Sequence, residues 1–191
     1  MLDKTILTKL EEMISEVLRS KPSAVIAVDG RCASGKTSLA KALSAVLDCN
    51  VVHTDDFYLQ PFQRTEERLN EAGGNLDRER LLKEVIKPLN EGREATYRPL
   101  VCSTMTFSDE VRLEHKSICI IEGSYSCHPE LRNYYDIAVF LTTDKETQKE
   151  RILHRNGEEK LEVFLSRWIP LEDKYFGAFD VEKRADLVIR T

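Results

Sequence analysis

The chain has 191 residues, 41% hydrophobic, 32% charged and 7% aromatic, a composition that supports an apolar core and excludes a disordered chain. Lys and Arg total 28 and Asp and Glu 33, so the net charge of −5 offers no basic footprint to a nucleic-acid duplex or an anionic membrane. No apolar run approaches the roughly 18 residues of a membrane span, and residues 1–10 alternate charged and apolar types instead of forming a signal-peptide core. A cytoplasmic protein with neither a nucleic-acid nor a membrane partner is expected, with a homo-oligomer left open.

Leu2, Ile6, Leu7, Leu10, Met13, Ile14, Val17 and Leu18 recur at the spacing of one helix face until Lys21-Pro22 stops them, so the first element is a packing helix. Residues 23–28 form a short, β-branched apolar run, the pattern of a strand buried on both faces, and they lead through Asp29-Gly30 into a glycine turn and a helix over 36–47. Further buried strands are expected at 51–53, 117–121, 136–141 and 186–189. Helices are expected at 76–89, 143–154 and 159–179, the last interrupted at Pro170. Residues 93–113 break the alternation, with short β candidates at 96–97 and 104–107, and read as a small projecting hairpin on the substrate side. Five apolar strands alternating with helices give a three-layer α/β fold around a mainly parallel sheet, and no repeat or linker divides residues 1–191.

Residues 30–37, Gly-Arg-Cys-Ala-Ser-Gly-Lys-Thr, match G-x-x-x-x-G-K-[ST] between an expected strand and an expected helix. A polyphosphate must be wrapped by backbone N–H groups, which calls for glycine where a Cβ would block the approach or φ is positive. Gly30 and Gly35 meet that need, Ala33, Ser34 and Ser38 complete the cradle, Lys36 reaches the phosphates and Thr37 presents a hydroxyl to Mg²⁺. The implied ligands are ATP, or another nucleoside triphosphate, and Mg²⁺. Neither N-K-x-D nor D-x-x-G follows, which argues against a GTPase switch, and Glu122 is a lone carboxylate at a strand end, not the Asp-Glu pair of an ATP-driven motor.

Residues 51–58, Val-Val-His-Thr-Asp-Asp-Phe-Tyr, place two carboxylates at a second strand end, and a hydroxyl attacking a γ-phosphate needs one to orient it; Asp55 and Asp56 are both candidates. Arg151 and Arg155 lie four residues apart on one helix face, with Lys160 beyond the Asn156-Gly157 break, and residues 151–168 read as a lid closing on the transferred phosphoryl group. The odd set of cysteines (32, 49, 102, 119, 127) contains no C-x-x-C pair and reads as free thiols, and the isolated histidines (53, 115, 128, 154) match no metal spacing.

Taken together, the loop 30–37, Thr54-Asp55-Asp56-Phe57-Tyr58, Asn75-Leu76-Asp77, Tyr97, Ile121-Glu122-Gly123 and Ala185-Asp186-Leu187-Val188-Ile189 resemble the uridine kinase family and its relatives, the nicotinamide riboside kinases and phosphoribulokinases, from residue 23 onward. The resemblance implies a P-loop NTPase fold in which Asp55 is the base on a sugar 5′-hydroxyl and Thr37, Asp55 and Glu122 organise Mg²⁺. It further implies that Asp77 holds ribose hydroxyls, that Tyr97 lines the acceptor pocket with Tyr58, Arg98 and Cys102 beside it, and that Arg151 and Arg155 are lid arginines. Two departures fall in the acceptor half: Cys102 stands where uridine kinases carry a base-reading histidine, and Arg98 follows the pocket tyrosine. Arg98, Arg64 or Arg78 would suit a carboxylate or phosphate on another acceptor. The expected activity is therefore phosphoryl transfer to a small-molecule acceptor such as uridine or cytidine. Nicotinamide riboside, pantothenate or a sugar phosphate are alternative acceptors, and a nucleotide-binding regulatory or ATPase module is the alternative class.

Overall fold

The computed structural model describes residues 4–191, so Leu2 of the first helix face lies outside the described residues. The chain runs α1 (Lys4–Ser20), β1 (Ala24–Gly30), α2 (Lys36–Ser44), β2 (Cys49–His53), a 3₁₀ turn at Thr54–Phe57, and α3 (Glu66–Asn70). Next come α4 (Arg78–Leu81), a π turn at Leu82–Ile86 and α5 (Lys87–Asn90). Short strands β3 (Thr96–Tyr97), β4 (Leu100–Val101), β5 (Thr106–Phe107) and β6 (Val111–Arg112) lead to β7 (Ile118–Glu122) and α6 (Pro129–Arg132). The last part holds β8 (Ile137–Thr142), α7 (Lys145–Asn156), α8 (Glu158–Val163), a π turn at Phe164–Trp168, α9 (Ile169–Phe179) and β9 (Leu187–Arg190).

Five strands form one sheet in the order β2-β7-β1-β8-β9 with every neighbouring pair parallel, the arrangement expected from the alternating apolar runs. Strand alternation then builds the three layers. Along β1, Val25 and Ala27 face one core with Val85, Ile86, Tyr175 and Phe176, whereas Ala24, Ile26 and Val28 face a second core with Leu10, Ile14, Leu39 and Leu43. Helices α1 and α2 thus cover one face, and the 78–90 helix and α9 the other. Leu10 and Ile14 are buried to within 1%, each worth roughly 1.5–3 kcal/mol of transfer free energy, which accounts for a helix whose role is packing.

Two expectations are refined. Helix 158–179 is not interrupted at Pro170: the π turn at Phe164–Trp168 precedes it, and Pro170 falls in the first turn of α9. Pro88 sits in the same position after the π turn at Leu82–Ile86. A π turn shifts the hydrogen-bond register, so the amide that proline lacks has no α-helical bond to make there. The projecting hairpin is longer than the 96–97 and 104–107 candidates. It is two nested antiparallel pieces, β3 with β6 and β4 with β5, broken at Arg98-Pro99, where proline has no N–H for the ladder.

The carboxyl ends of β1, β2 and β7 lie side by side. Register pairs Glu122 with Val28 on one side and with His53 on the other. Gly123, at φ +135°, makes the exit from β7 possible, because a Cβ there would meet Thr54 Oγ1 at 2.0 Å. Gly123→Ala is expected to lower unfolding stability by about 2–4 kcal/mol, through strain and overpacking. Urea denaturation measures this, and an unchanged midpoint would contradict the close approach.

Candidate active site

Residues 30–37 curl around the N-terminus of α2. Gly30 has φ +137°, and a Cβ on it would lie 2.0 Å from Leu141 O; Ala33 is left-handed at φ +58°, and Gly35 caps the helix at φ +96°. With Gly35 as N-cap, the first N–H groups of α2, on Lys36, Thr37 and Ser38, have no partner one turn earlier in the helix, an arrangement that suits an anion. Lys36 Nζ donates to Gly30 O at 2.7 Å and Arg31 O at 3.0 Å. Gln148 Nε2 donates to Cys32 O at 3.0 Å, Arg151 Nη1 to Ala33 O at 3.3 Å, and Thr191 Oγ1 to Ser34 O at 3.0 Å. Burial, followed by the charge of Glu172, pushes the Cys32 thiol up to about 12, so it stays protonated and unreactive.

Opposite the loop, Thr37 Oγ1 donates to Glu122 Oε1 at 2.9 Å, and His53 Nδ1 lies 2.6 Å from the same oxygen. Glu122 is buried although Thr37 is exposed. A hydroxyl beside one carboxylate fits Mg²⁺, which keeps several waters and takes the rest of its shell from phosphates. Among the described residues no group of three or more His, Cys, Asp or Glu forms a closed metal cage. His53 is a residue the motif reading missed: its strand position was legible, but its pairing with Glu122 depends on which strand lies next to β2.

The acceptor-side carboxylates are each held by a different tyrosine. Tyr58 OH donates to Asp55 Oδ1 at 3.1 Å, and Tyr97 OH donates to Asp56 Oδ2 at 3.1 Å. Asp55 is exposed, while Asp56 is partly buried and its pKa is raised, burial outweighing the Tyr97 hydrogen bond. Tyr97 packs against Phe57 with ring centroids 4.9 Å apart and planes tilted by 33°, and Arg80 lies over the Phe57 ring, 4.4 Å from its centroid. Cys102 is exposed; its thiol is pushed up by burial and then by the charge of Asp55, with Arg64 opposing, which puts both charges beside it.

Several expected contacts are redirected. Asp77 is buried and caps α4, with Oδ1 accepting from Arg80 N at 3.0 Å; its Oδ2 lies 3.5 Å from Arg80 Nε and makes no hydrogen bond, which leaves that oxygen an unused acceptor. Arg78 is drawn into ion pairs with Glu71 at 2.9 Å and Glu130 at 3.0 Å. Arg98 Nε donates to Ser108 O at 2.7 Å within the hairpin. Arg151 lies on the loop carbonyl of Ala33 and on Thr191 Oγ1 at 2.9 Å, whereas Arg155 is exposed and bonded to Asn156 Oδ1 at 2.8 Å. The two arginines of one helix face therefore serve different partners. Asp29, before the loop, carries no motif signal in the sequence. It is fully buried and accepts from Gly30 N at 2.7 Å, Cys127 N at 2.9 Å and Tyr175 OH at 2.8 Å, with burial raising its pKa to about 6.

A parallel sheet with this loop and strand-end carboxylates defines a P-loop protein with a kinase-like fold, which implies nucleotide binding, typically ATP with Mg²⁺. Over residues 26–165 the sequence matches the AAA domain family, and the chain belongs to that family. A possible uridine kinase from Bacillus stearothermophilus is 25% identical, covers 95% of this chain and 99% of its own, and superposes with a TM-score of 0.67. A candidate fructose transport system kinase from Silicibacter sp. TM1040 is 21% identical, over 96% of this chain and 98% of its own, at a TM-score of 0.68. A circularly permuted P-loop kinase candidate from Saccharomyces cerevisiae, 11% identical over 100% of this chain and 99% of its own, shares the fold at 0.68. No curated protein matches the sequence significantly. No helix among the described residues is long and apolar enough to cross a membrane.

Two histidines report on this packing. The hydrogen bond to Glu122 raises His53 above 6.5, so its contribution to stability is full below pH 6.5 and fades as the pH rises through the folded value. Burial, followed by the charge of Arg78, lowers His128 to about 4, so the protein loses stability as the pH falls from 6.5 toward 4. Imidazole NMR titration is expected to find one on each side of 6.5, with Glu122→Gln returning His53 toward the ordinary value. Two titrations at the ordinary value would contradict both contacts.

Proposed function

We propose that the protein is a Mg-ATP-dependent small-molecule kinase that transfers the γ-phosphoryl group to a hydroxyl, with the 5′-hydroxyl of a nucleoside as the favoured acceptor. The observation that carries this reading is the pair Asp55 and Asp56, each tied to its own tyrosine, at the strand end next to the Thr37 and Glu122 pair. A nucleotide switch or motor needs the loop and a metal-side carboxylate. A carboxylate pair set against Tyr58 and Tyr97 is what a kinase adds, because its nucleophile is a bound hydroxyl that must be oriented and relieved of a proton. The full-length likeness to a possible uridine kinase supports the nucleoside class.

In this reading Lys36 leaves the loop carbonyls for the β and γ phosphates, and the N-terminus of α2 receives the phosphate charge. Thr37 and Glu122, with Asp55 directly or through water, hold Mg²⁺, whose bound charge offsets that of the phosphates. Asp55 orients the acceptor hydroxyl and takes its proton, Tyr58 holds that carboxylate, and Tyr97 with Cys102 and Arg98 borders the acceptor. Arg155, exposed on α7 and bonded to the neighbouring Asn156, is the lid arginine that turns to the phosphoryl group, and Arg151 supports the loop. A second acceptor class, bearing a carboxylate or phosphate, is favoured by Arg64, which is exposed beside Cys102 and Asp55 and has no ion-pair partner among the described residues.

Coupled ADP release with Mg-ATP across nucleosides, nicotinamide riboside, pantothenate and sugar phosphates, against an acceptor-free blank, tests the reading. Acceptor-dependent release is expected, strongest with a nucleoside. Lys36→Ala and Asp55→Ala are each expected to lower kcat/KM by about 10²–10³-fold with the fold retained. Release that ignores the acceptor, or a folded Asp55→Ala protein with wild-type turnover, would overturn it.

A further inference from the structure

Cys32 is the loop residue whose two main-chain polar groups are both taken by buried side chains. Its carbonyl accepts from Gln148 Nε2 at 3.0 Å, and its N–H donates to Glu172 Oε2 at 2.9 Å. Gln148 is 2% exposed and Glu172 3%. Gln148 belongs to α7 and Glu172 to α9, the helices that lead into and out of α8. The other carboxylate oxygen of Glu172 accepts from Ser124 Oγ at 2.7 Å, so the same side chain also fixes the turn after Glu122.

We propose that Gln148 and Glu172 are positioning residues for nucleotide binding: together they clamp the two peptide units that flank Cys32 and thereby aim the loop amides at the triphosphate. The proposal rests on the nucleotide-kinase reading of the loop. The clamp has a mechanical task, because the next residue, Ala33, is held at φ +58°, a left-handed conformation that costs a non-glycine residue energy. The Cys32 N–H lies in the peptide unit shared with Arg31 and the Cys32 C=O in the unit shared with Ala33, so Glu172 and Gln148 fix the two peptide planes that flank Cys32, and with them the turn into Ala33. Released on either side, a flanking peptide can rotate and the helix-terminal amides beyond it lose their common focus. Both side chains act through the main chain at Cys32. Because they stand on the helices flanking α8, they also link the position of the 151–168 segment to the shape of the loop.

Two near-isosteric changes test the clamp. Glu172→Gln can turn an NH₂ toward the Cys32 N–H, and Gln148→Glu removes the donor to Cys32 O and sets a carboxylate against a carbonyl. Calorimetric titration with Mg-ATP and initial rates at varied ATP and varied acceptor are the measurements. Each variant is expected to raise the Kd and KM for Mg-ATP about tenfold or more, with the acceptor KM within about twofold of wild type. A merely structural role gives another pattern, a smaller active fraction with kcat reduced and both KM values unchanged, and that result would overturn the proposal. Ser124→Ala, which removes the donor that orients the Glu172 carboxylate and so loosens its bond to Cys32, keeps the test decisive if either buried change prevents folding. Loss of one of the two donors on Glu172 is expected to raise the KM for Mg-ATP by about two- to fivefold, and an unchanged value would count against the clamp. Wild-type protein that binds no Mg-ATP overturns the nucleotide reading along with the clamp. Wild type that binds it, with variants that bind equally well, overturns the clamp alone.

Discussion

A peptide unit cannot turn its N–H toward a phosphate without turning its C=O away. In a loop that gathers amides on one side, a row of carbonyls is forced onto the other, and each left buried and unpaired would cost about 1–3 kcal/mol. Here three consecutive carbonyls are provided for from outside the loop, Cys32 by Gln148, Ala33 by Arg151 and Ser34 by Thr191, while those of Gly30 and Arg31 accept from Lys36 as long as its side chain stays on the loop. The loop is therefore not a self-contained motif. Its shape depends on α7 and on residue 191, just beyond β9, which are far away in sequence and reach it only because the sheet sets β8 beside β1 and β9 beside β8.

The sheet performs a second task with the same economy. Parallel pairing sets the ends of β1, β2 and β7 at one edge, so the loop, the Asp55-Asp56 turn and Glu122 meet without any long-range motif in the sequence. Buried carboxylates stitch these ends together. Asp29 joins the start of the loop to Cys127 and to Tyr175 of α9, and Glu172 joins Cys32 to Ser124. Each is surrounded by donors, the condition under which a buried carboxylate is tolerable. The result is a rigid floor beneath an exposed acceptor side, where Asp55 and Cys102 remain open.

Much of this was legible in the sequence, for a physical reason. The loop is read because its contacts are local and its glycines answer backbone demands that only glycine meets at low cost, and the strands are read because burial on both faces leaves continuous β-branched runs. The supporting side chains were not legible. Gln148, Arg151 and Thr191 bond to main-chain carbonyls, which carry no residue identity, across more than a hundred positions. Arg151 illustrates this, since its place on α7 suggests a lid while its side chain donates to Ala33 O and Thr191 Oγ1. The helix-capping bond from Arg80 N to Asp77 is likewise absent from the motif in which Asp77 stands. Pro170 looked like a break because a sequence does not announce a π turn.

The measurement that bears most directly on this account is an amide NMR titration of the protein with Mg-ATP. The N–H groups of residues 35–38 are expected to shift to saturation, while the Cys32 N–H keeps its shift and its exchange protection because Glu172 retains it. Resonances at 35–38 that ignore the nucleotide, or a Cys32 amide that moves with them, would contradict a loop whose outward groups are held by the fold so that its inward ones can bind phosphate.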